Sequence, residues 1–89
     1  MILPGMAKDS VTLVKENGER IEGLKAVVSL RRIVTFHTDI VMESKDMMIR
    51  ELPDGGKEAY LFLDVMLNDA KDGIPANYQI TVRKVVVPE

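Results

Sequence analysis

The clearest structural signal in the chain is the stretch Tyr78-Gln79-Ile80-Thr81-Val82-Arg83 near its C-terminus. Apolar and polar side chains alternate there with a period of two residues, which is typical of a β-strand with one buried face and one wet face. Val85-Val86-Val87 can extend this strand, and Pro88 ends it, because proline has no amide hydrogen for a sheet ladder. We therefore predict a last strand with Val82 facing inward and Arg83 facing outward.

An Asn17-Gly18 dipeptide lies between two β-branched segments and is typical of a hairpin with a two-residue type I′ turn. A turn of that length would pair Val14 with Ile21 on one face. It would also place two cations, Lys15 and Arg20, opposite each other, which is tolerable only at an exposed hairpin tip. We therefore expect a solvated tip at this end of the first hairpin.

A second hairpin is predicted around Leu52-Pro53-Asp54-Gly55-Gly56. Pro53 and Asp54 suit the central positions of a type I turn, and Gly55 suits a following left-handed position in a loop of three or four residues. Gly23, inside the second strand, is a candidate β-bulge. The turn chemistry thus favours antiparallel pairing between neighbours in sequence.

Further strands are predicted over residues 33–38, 46–52 and 58–65. The last of these is apolar enough for burial on both faces or for a strand that crosses between two sheets. No window has good helical periodicity, and residues 42–50 come nearest. We predict an all-β fold, an antiparallel barrel or sandwich of five to seven strands with at most one short helix. Residues 1–9 are expected to be a flexible leader, and residues 10–87 a single domain.

The amino-acid composition excludes several kinds of site and disfavours one class of ligand. The 89 residues contain no cysteine and one histidine, which excludes disulfides, cysteine nucleophiles and a multi-histidine metal site within one chain. Twelve basic against 14 acidic residues give a formal charge of −2, so a globally basic nucleic-acid binder is disfavoured. The sequence shows no signal peptide and no apolar stretch of spanning length, so we expect a cytoplasmic protein without a membrane partner. It also has no glycine-rich phosphate loop before a helix, so we expect no cofactor.

Candidates for chemistry are few. His37 and Asp39 would point to one side of a strand, as a general base and its partner could, but chance produces such a pair as readily. A calcium loop beginning at Asn68 fails because Ala70 and Gln79 occupy two ligand positions. A magnesium site is conceivable from Asp64 in a strand and two acids in the loop that follows it, Asp69 and Asp72. We predict no catalytic residue, no metal ligand and no enzymatic activity.

Two binding surfaces remain as hypotheses. If the terminal strand lies at a sheet edge, it could recruit a protein partner or a second copy of the chain. The candidate contacts are Val85, Val86, Val87 and Met48, since one of the adjacent residues Met47 and Met48 must face away from the core of a single sheet. The alternative is single-stranded nucleic acid on a basic patch. It is disfavoured because such sites need aromatic side chains as stacking platforms, and most aromatic residues of this chain are expected in the core. Its candidate residues are Lys25, Arg31, Arg32, Arg83 and Lys84.

Two stretches carry a resemblance. Asp46-Met47-Met48-Ile49-Arg50-Glu51-Leu52-Pro53-Asp54-Gly55, followed by Glu58, Tyr60 and Val65, resembles the strand–turn–strand core of short uncharacterised bacterial and prophage β domains. Residues 73–84 are similar to the closing strand of those domains. The layout is also similar to the small β-barrel proteins of phage head–tail connectors. The resemblance implies a bacterial or phage-derived module that binds other proteins and assembles with them, without a catalytic motif.

Overall fold

Six β-strands and one short turn of 3-10 helix, Pro4–Met6, form the computed structural model, which describes residues 4–87. The strands are β1 (Asp9–Val14), β2 (Arg20–Val28), β3 (Arg32–Thr35), β4 (Met47–Glu51), β5 (Lys57–Asn68) and β6 (Asn77–Val85). They close an antiparallel barrel in the order β1-β2-β3-β6-β5-β4. The all-β prediction is confirmed, and the barrel rather than the sandwich is observed. No helix within the described residues has the length and apolar character that crossing a membrane requires.

The barrel interior is filled by one face of each strand. On β6, Tyr78, Ile80 and Val82 are buried, while Gln79 and Thr81 between them are exposed, which confirms the predicted alternation. Facing strands contribute the other large, fully buried side chains of the core: Leu13, Ile33, Met48 and Phe62. Burying each such side chain contributes about 1.5–3 kcal/mol to the free energy of folding. The apolar interior is therefore the main source of stability for the closed sheet.

The first hairpin differs from its prediction by one residue of register. Val14 pairs with Arg20 and Leu13 with Ile21, and the loop contains three residues, 16–18. The amide of Lys15 donates to the carbonyl of Glu19, opposite it, so a cation faces an anion rather than another cation. The predicted type I′ turn needs a positive φ at both central residues, and only Gly18 has one (94°). The two-residue turn was therefore wrong.

The second hairpin has a loop of three residues, the shorter of the two predicted lengths, and the same geometry as the first. The amide of Leu52 donates to Gly56 and the amide of Gly55 donates to Leu52, matching the bonds around Gly18. Gly55 has a φ of 90°. The side chain of Asp54 accepts from the Gly56 amide at 2.8 Å, as Asn17 accepts from Glu19 at 2.9 Å. The same loop thus occurs twice with an Asx–Gly pair. In each case the Asx residue precedes the left-handed glycine, and its side-chain hydrogen bond stabilises the backbone of the turn.

Two bulges shape the barrel wall. The β1–β2 register shifts by one residue between Val11 and Leu13, opposite Gly23, which confirms the predicted bulge. The β5–β6 register shifts between Phe62 and Asp64, so Leu63 is an extra residue on β5. A bulge bends its strand and increases the local twist. After this bulge β5 continues beside β6 alone, because its pairing with β4 ends at Leu61.

Strand β6 is not an edge strand over most of its length. It pairs with β3 on one side and with β5 on the other, and the amide of Val82 adds a bond to the carbonyl of Arg31. The strand ends at Val85, so Val86 and Val87 lie beyond the ladder. Part of the predicted leader, residues 1–3, lies outside the described residues, and Asp9 belongs to β1.

Candidate interaction surfaces

One end of the barrel is closed by a buried ion pair. Asp46, immediately before β4, is 2% exposed and accepts hydrogen bonds from the Lys15 ammonium at 2.5 Å, the Glu16 amide at 3.1 Å and the Glu43 amide at 2.9 Å. Burial alone would lower the pKa of Lys15, but the hydrogen bond and charge of Asp46 outweigh it and raise that pKa. The cluster therefore ties the end of β1 to the loop before β4.

A second charged cluster closes the opposite end. The Arg50 guanidinium lies 3.2 Å from Asp9 and 3.2 Å from Glu58, and Glu58 also accepts from Lys84 at 2.8 Å and from the Tyr60 hydroxyl at 3.2 Å. The hydrogen bond from Lys84 is the main cause that lowers the pKa of Glu58. Because these groups come from β1, β4, β5 and β6, they join four strands. Both ends are thus occupied by paired charges, although the buried Nε of Arg50 has no hydrogen-bond partner among residues 4–87.

His37 has a structural position. Its Nε2 accepts a hydrogen bond from the Lys25 amide at 3.1 Å, and the Thr35 hydroxyl donates to the Lys25 carbonyl at 3.0 Å. Strand β3 ends at Thr35, so these two side chains replace the next rung of the β2–β3 ladder. Among residues 4–87, no hydrogen bond joins the His37 ring to a carboxylate, and Asp39 is exposed.

The five basic candidate residues do not form one patch. Arg32 on β3 pairs with Thr81 on β6, and Arg83 lies two residues further along the same outer face of β6. The carbonyl of Arg31 accepts a hydrogen bond from the amide of Val82, which lies between Thr81 and Arg83. Lys84 faces the other side and pairs with Glu58. Lys25 lies near the opposite end of the β2–β3 hairpin, where its ammonium donates to Ser10 at 2.7 Å. The structure therefore places the backbones of three arginines at one end of the β3–β6 ladder and separates the two lysines from them.

The four candidate partner-contact residues also divide. Met48 is fully buried in the core, so it cannot touch a partner, and the half-buried Met47 is the one of the pair that faces outward. Val86 is 91% exposed, while Val85 and Val87 on either side of it are partly covered. Val85 is paired with Ala59 on the outer wall. The valines therefore remain on the surface, and Met48 does not.

The most exposed apolar segment, the distal part of β5, is not among the surfaces predicted from the sequence. Leu63, Met66 and Leu67 are 50%, 55% and 55% exposed. The last bonds on this edge join Phe62 to Lys45 and Asp46, and the backbone hydrogen bonds described for residues 4–87 include none on the same edge from 64 to 68. We call residues 63–68 the β5 overhang. The apolar run within residues 58–65 was the available signal, but it was interpreted as burial on both faces or as a strand that crosses between two sheets.

A cavity of about 590 Å³ lies on the outer face where β3 and β6 meet the β5–β6 loop. Arg32, Lys71 and Asp69 line it, so charges of both signs are present. At its rim the buried side-chain amide of Asn77 donates to the Pro75 carbonyl at 3.0 Å and accepts from the side-chain amide of Asn68 at 3.4 Å. These amides satisfy each other and hold the end of the hairpin.

Comparison with known proteins gives no relative. No protein-family model matches the chain, and no curated protein or solved structure matches it significantly. Within residues 4–87, no three acidic or histidine side chains are grouped so that they could hold a metal ion. The acids Asp64, Asp69 and Asp72 accordingly do not converge. The surfaces described above are therefore the material from which a function is argued.

Proposed function

We propose that this protein is a non-enzymatic protein–protein interaction or assembly module. The observation that carries the proposal is the β5 overhang, where a strand edge that pairs with none of residues 4–87 coincides with the exposed side chains of Leu63, Met66 and Leu67. Free edge groups form backbone hydrogen bonds with any extended strand, and apolar side chains beside them add buried area and specificity. Natural edge strands more often carry charges or proline, which discourage such pairing.

The charged clusters at the two barrel ends support the same proposal. In these clusters, Asp46 binds the Lys15 ammonium and two backbone amides, and Glu58 binds cations from neighbouring strands. Their hydrogen bonds therefore hold the barrel together rather than face a substrate. A catalytic centre needs converging polar groups that are free to meet a substrate. His37, the remaining candidate, is hydrogen-bonded to the backbone of Lys25.

Photo-crosslinking in the cells that express the protein tests the proposal. A photoreactive phenylalanine analogue is placed at Leu67 in the overhang and, as a matched control, at Leu30, which is 70% exposed in the β2–β3 turn. We expect discrete protein adducts from position 67 and none from position 30. If neither position gives an adduct, or both give the same diffuse set, the overhang is not an interaction surface and the proposal fails.

The finer parts of the proposal concern origin and place. The resemblance of residues 46–55 and 73–84 to prophage domains and head–tail connector proteins supports a bacterial or phage-derived assembly component. A component of that kind would act in the bacterial cytoplasm. Flanking capsid or portal genes in the genome would support this origin, and a chromosomal setting among unrelated metabolic genes would oppose it.

Single-stranded nucleic acid is the second candidate ligand, favoured by the grouping of Arg31, Arg32 and Arg83 at one end of the β3–β6 ladder. A gel shift with an oligonucleotide at two salt concentrations tests it. Three phosphate contacts would weaken binding by roughly tenfold or more between about 50 and 200 mM salt. The absence of a shift with the wild-type protein, or a shift unchanged in Arg32→Ala, removes this candidate.

A further inference from the structure

We propose that the partner of the β5 overhang is a second copy of this chain, paired antiparallel along the same edge with its two-fold axis at Met66. The inference rests on the proposed function and specifies its partner. It follows from three features of the overhang, which are the direction of its free backbone groups, the register those groups permit, and the side chains which that register brings together.

The pairing of β6 with both neighbours fixes the direction of the free groups on β5. The Val82 amide points to Arg31, so alternate residues of β6, including Ile80, direct their backbone groups toward β3. The backbone groups of Gln79, the residue before Ile80, therefore point toward β5, where the partner of Gln79 is Met66. Because successive residues of a strand point to opposite edges, Val65 and Leu67 direct their amide and carbonyl groups away from β6.

Two edge-facing residues, Val65 and Leu67, define one best register for pairing with an identical strand. Placing Val65 opposite Leu67 of the second copy repeats the same pair across the axis and uses the amide and carbonyl of both residues on both chains. Centring the axis on either Val65 or Leu67 leaves the other residue without an edge-facing partner, because Leu63 is the bulged residue and residue 69 lies in the loop. The register centred on Met66 therefore satisfies the most backbone groups.

The same register matches the side chains. Met66 lies opposite Met66 of the second copy in a non-hydrogen-bonded pair, where side chains approach most closely. Asp64 lies opposite Asn68 of the second copy, so a carboxylate meets an amide donor rather than another carboxylate. The exposed Lys45, whose amide is bonded to the Phe62 carbonyl, lies where the acidic loop after Asn68 of the second copy would arrive. The edge is thus complementary to itself in backbone register and in charge.

Disulfide trapping tests the register directly, because the chain contains no cysteine. The pair at the axis has a Cα separation of about 4.5 Å, within the range that disulfides bridge. Met66→Cys should form a covalent dimer rapidly under mild oxidation. Leu30→Cys, which is more exposed (70% against 55%) but lies in the β2–β3 turn, should remain largely monomeric. Equal crosslinking rates for the two variants would indicate random collision and overturn the inference.

A charge swap provides an independent test in sedimentation velocity of the full chain. Asn68→Asp sets carboxylates opposite Asp64 twice across the axis and should weaken the dimer by about tenfold. Combining it with Asp64→Asn should restore wild-type association, and circular dichroism should show that both variants fold. If the wild-type chain is monomeric at millimolar concentration, or the double variant does not recover, self-pairing in this register is wrong.

The crosslinking at Leu67 separates the two proposals. An adduct of twice the chain mass, reproduced by the purified protein, supports pairing with a second copy. An adduct with a different protein, together with a monomeric purified chain, leaves the interaction function standing and overturns the self-pairing. The absence of any adduct contradicts both.

Discussion

The ammonium of Lys15 and the carboxylate of Asp46 lie 2.5 Å apart, although the two residues are separated by 31 positions in the chain. Both groups are largely covered, with side-chain exposures of 13% and 2%. A carboxylate this deep in a protein is tolerated only when it is paired and hydrogen-bonded, and here two backbone amides complete its shell. The pair joins the end of β1 to the start of β4 and closes one end of the barrel.

Removing this carboxylate should be one of the most damaging changes at the barrel ends. Asp46→Ala removes the ion-pair partner of a nearly buried ammonium, which keeps only its hydrogen bond to the Val41 carbonyl and a long contact with Glu43, and it leaves two amides without their acceptor. It should lower the free energy of unfolding by about 3 kcal/mol in urea denaturation. The exposed Glu43→Ala, which loses only a 3.5 Å contact with Lys15, is the control and should cost less than about 0.5 kcal/mol. Similar losses in both variants would show that Asp46 is not the centre of the cluster.

The cluster around Glu58 should make stability depend on pH. Its folded-state pKa is lowered below the ordinary 4.5, first by the hydrogen bond from Lys84. A lowered pKa contributes stability that is present above the unfolded-state pKa and lost as the pH falls through the folded-state value. Wild type should therefore exceed Glu58→Gln in urea midpoint at neutral pH, and this difference should shrink toward about pH 3. A difference that is constant with pH would contradict this role of the carboxylate.

The His37 ring should protect one particular amide. His37→Ala removes the acceptor of the Lys25 amide and should cost about 1 kcal/mol, with faster hydrogen exchange confined to the neighbourhood of that amide. His37→Gln, which retains a side-chain acceptor, should recover part of the protection. Unchanged exchange at Lys25 in the alanine variant would show that the bond is not formed in solution.

The two faces of β6 should respond oppositely to the same substitution. Val82→Asp places an unpaired carboxylate in the core and should unfold the barrel, because Val82 is buried against its interior. Arg83→Asp, one residue later on the exposed face, should leave the folded state intact. Circular dichroism and thermal denaturation measure both outcomes, and equal stability of the two variants would mean that the faces are reversed.

Local patterns predicted much of the barrel. The alternation from Tyr78 to Arg83, the Asp54-Gly55 loop and the Gly23 bulge were each correct, because side-chain periodicity and backbone preference act over a few residues. The first hairpin was wrong by one residue for a related reason. Asn17-Gly18 suits two loops of different length, and the choice depends on whether Asn17 adopts a positive φ or, as observed, fixes the turn through its side chain.

Sequence by itself determined that the chain forms short antiparallel strands with a thin apolar interior and without cysteine chemistry. Tertiary structure alone decided how the strands close and which edges stay open. The burial of Met48, the pairing of β6 on both sides and the exposure of the β5 overhang all depend on register between residues that are distant in the chain. Such pairings are set by closure of the whole sheet, since a single bulge on β5 moves every following side chain relative to its neighbours.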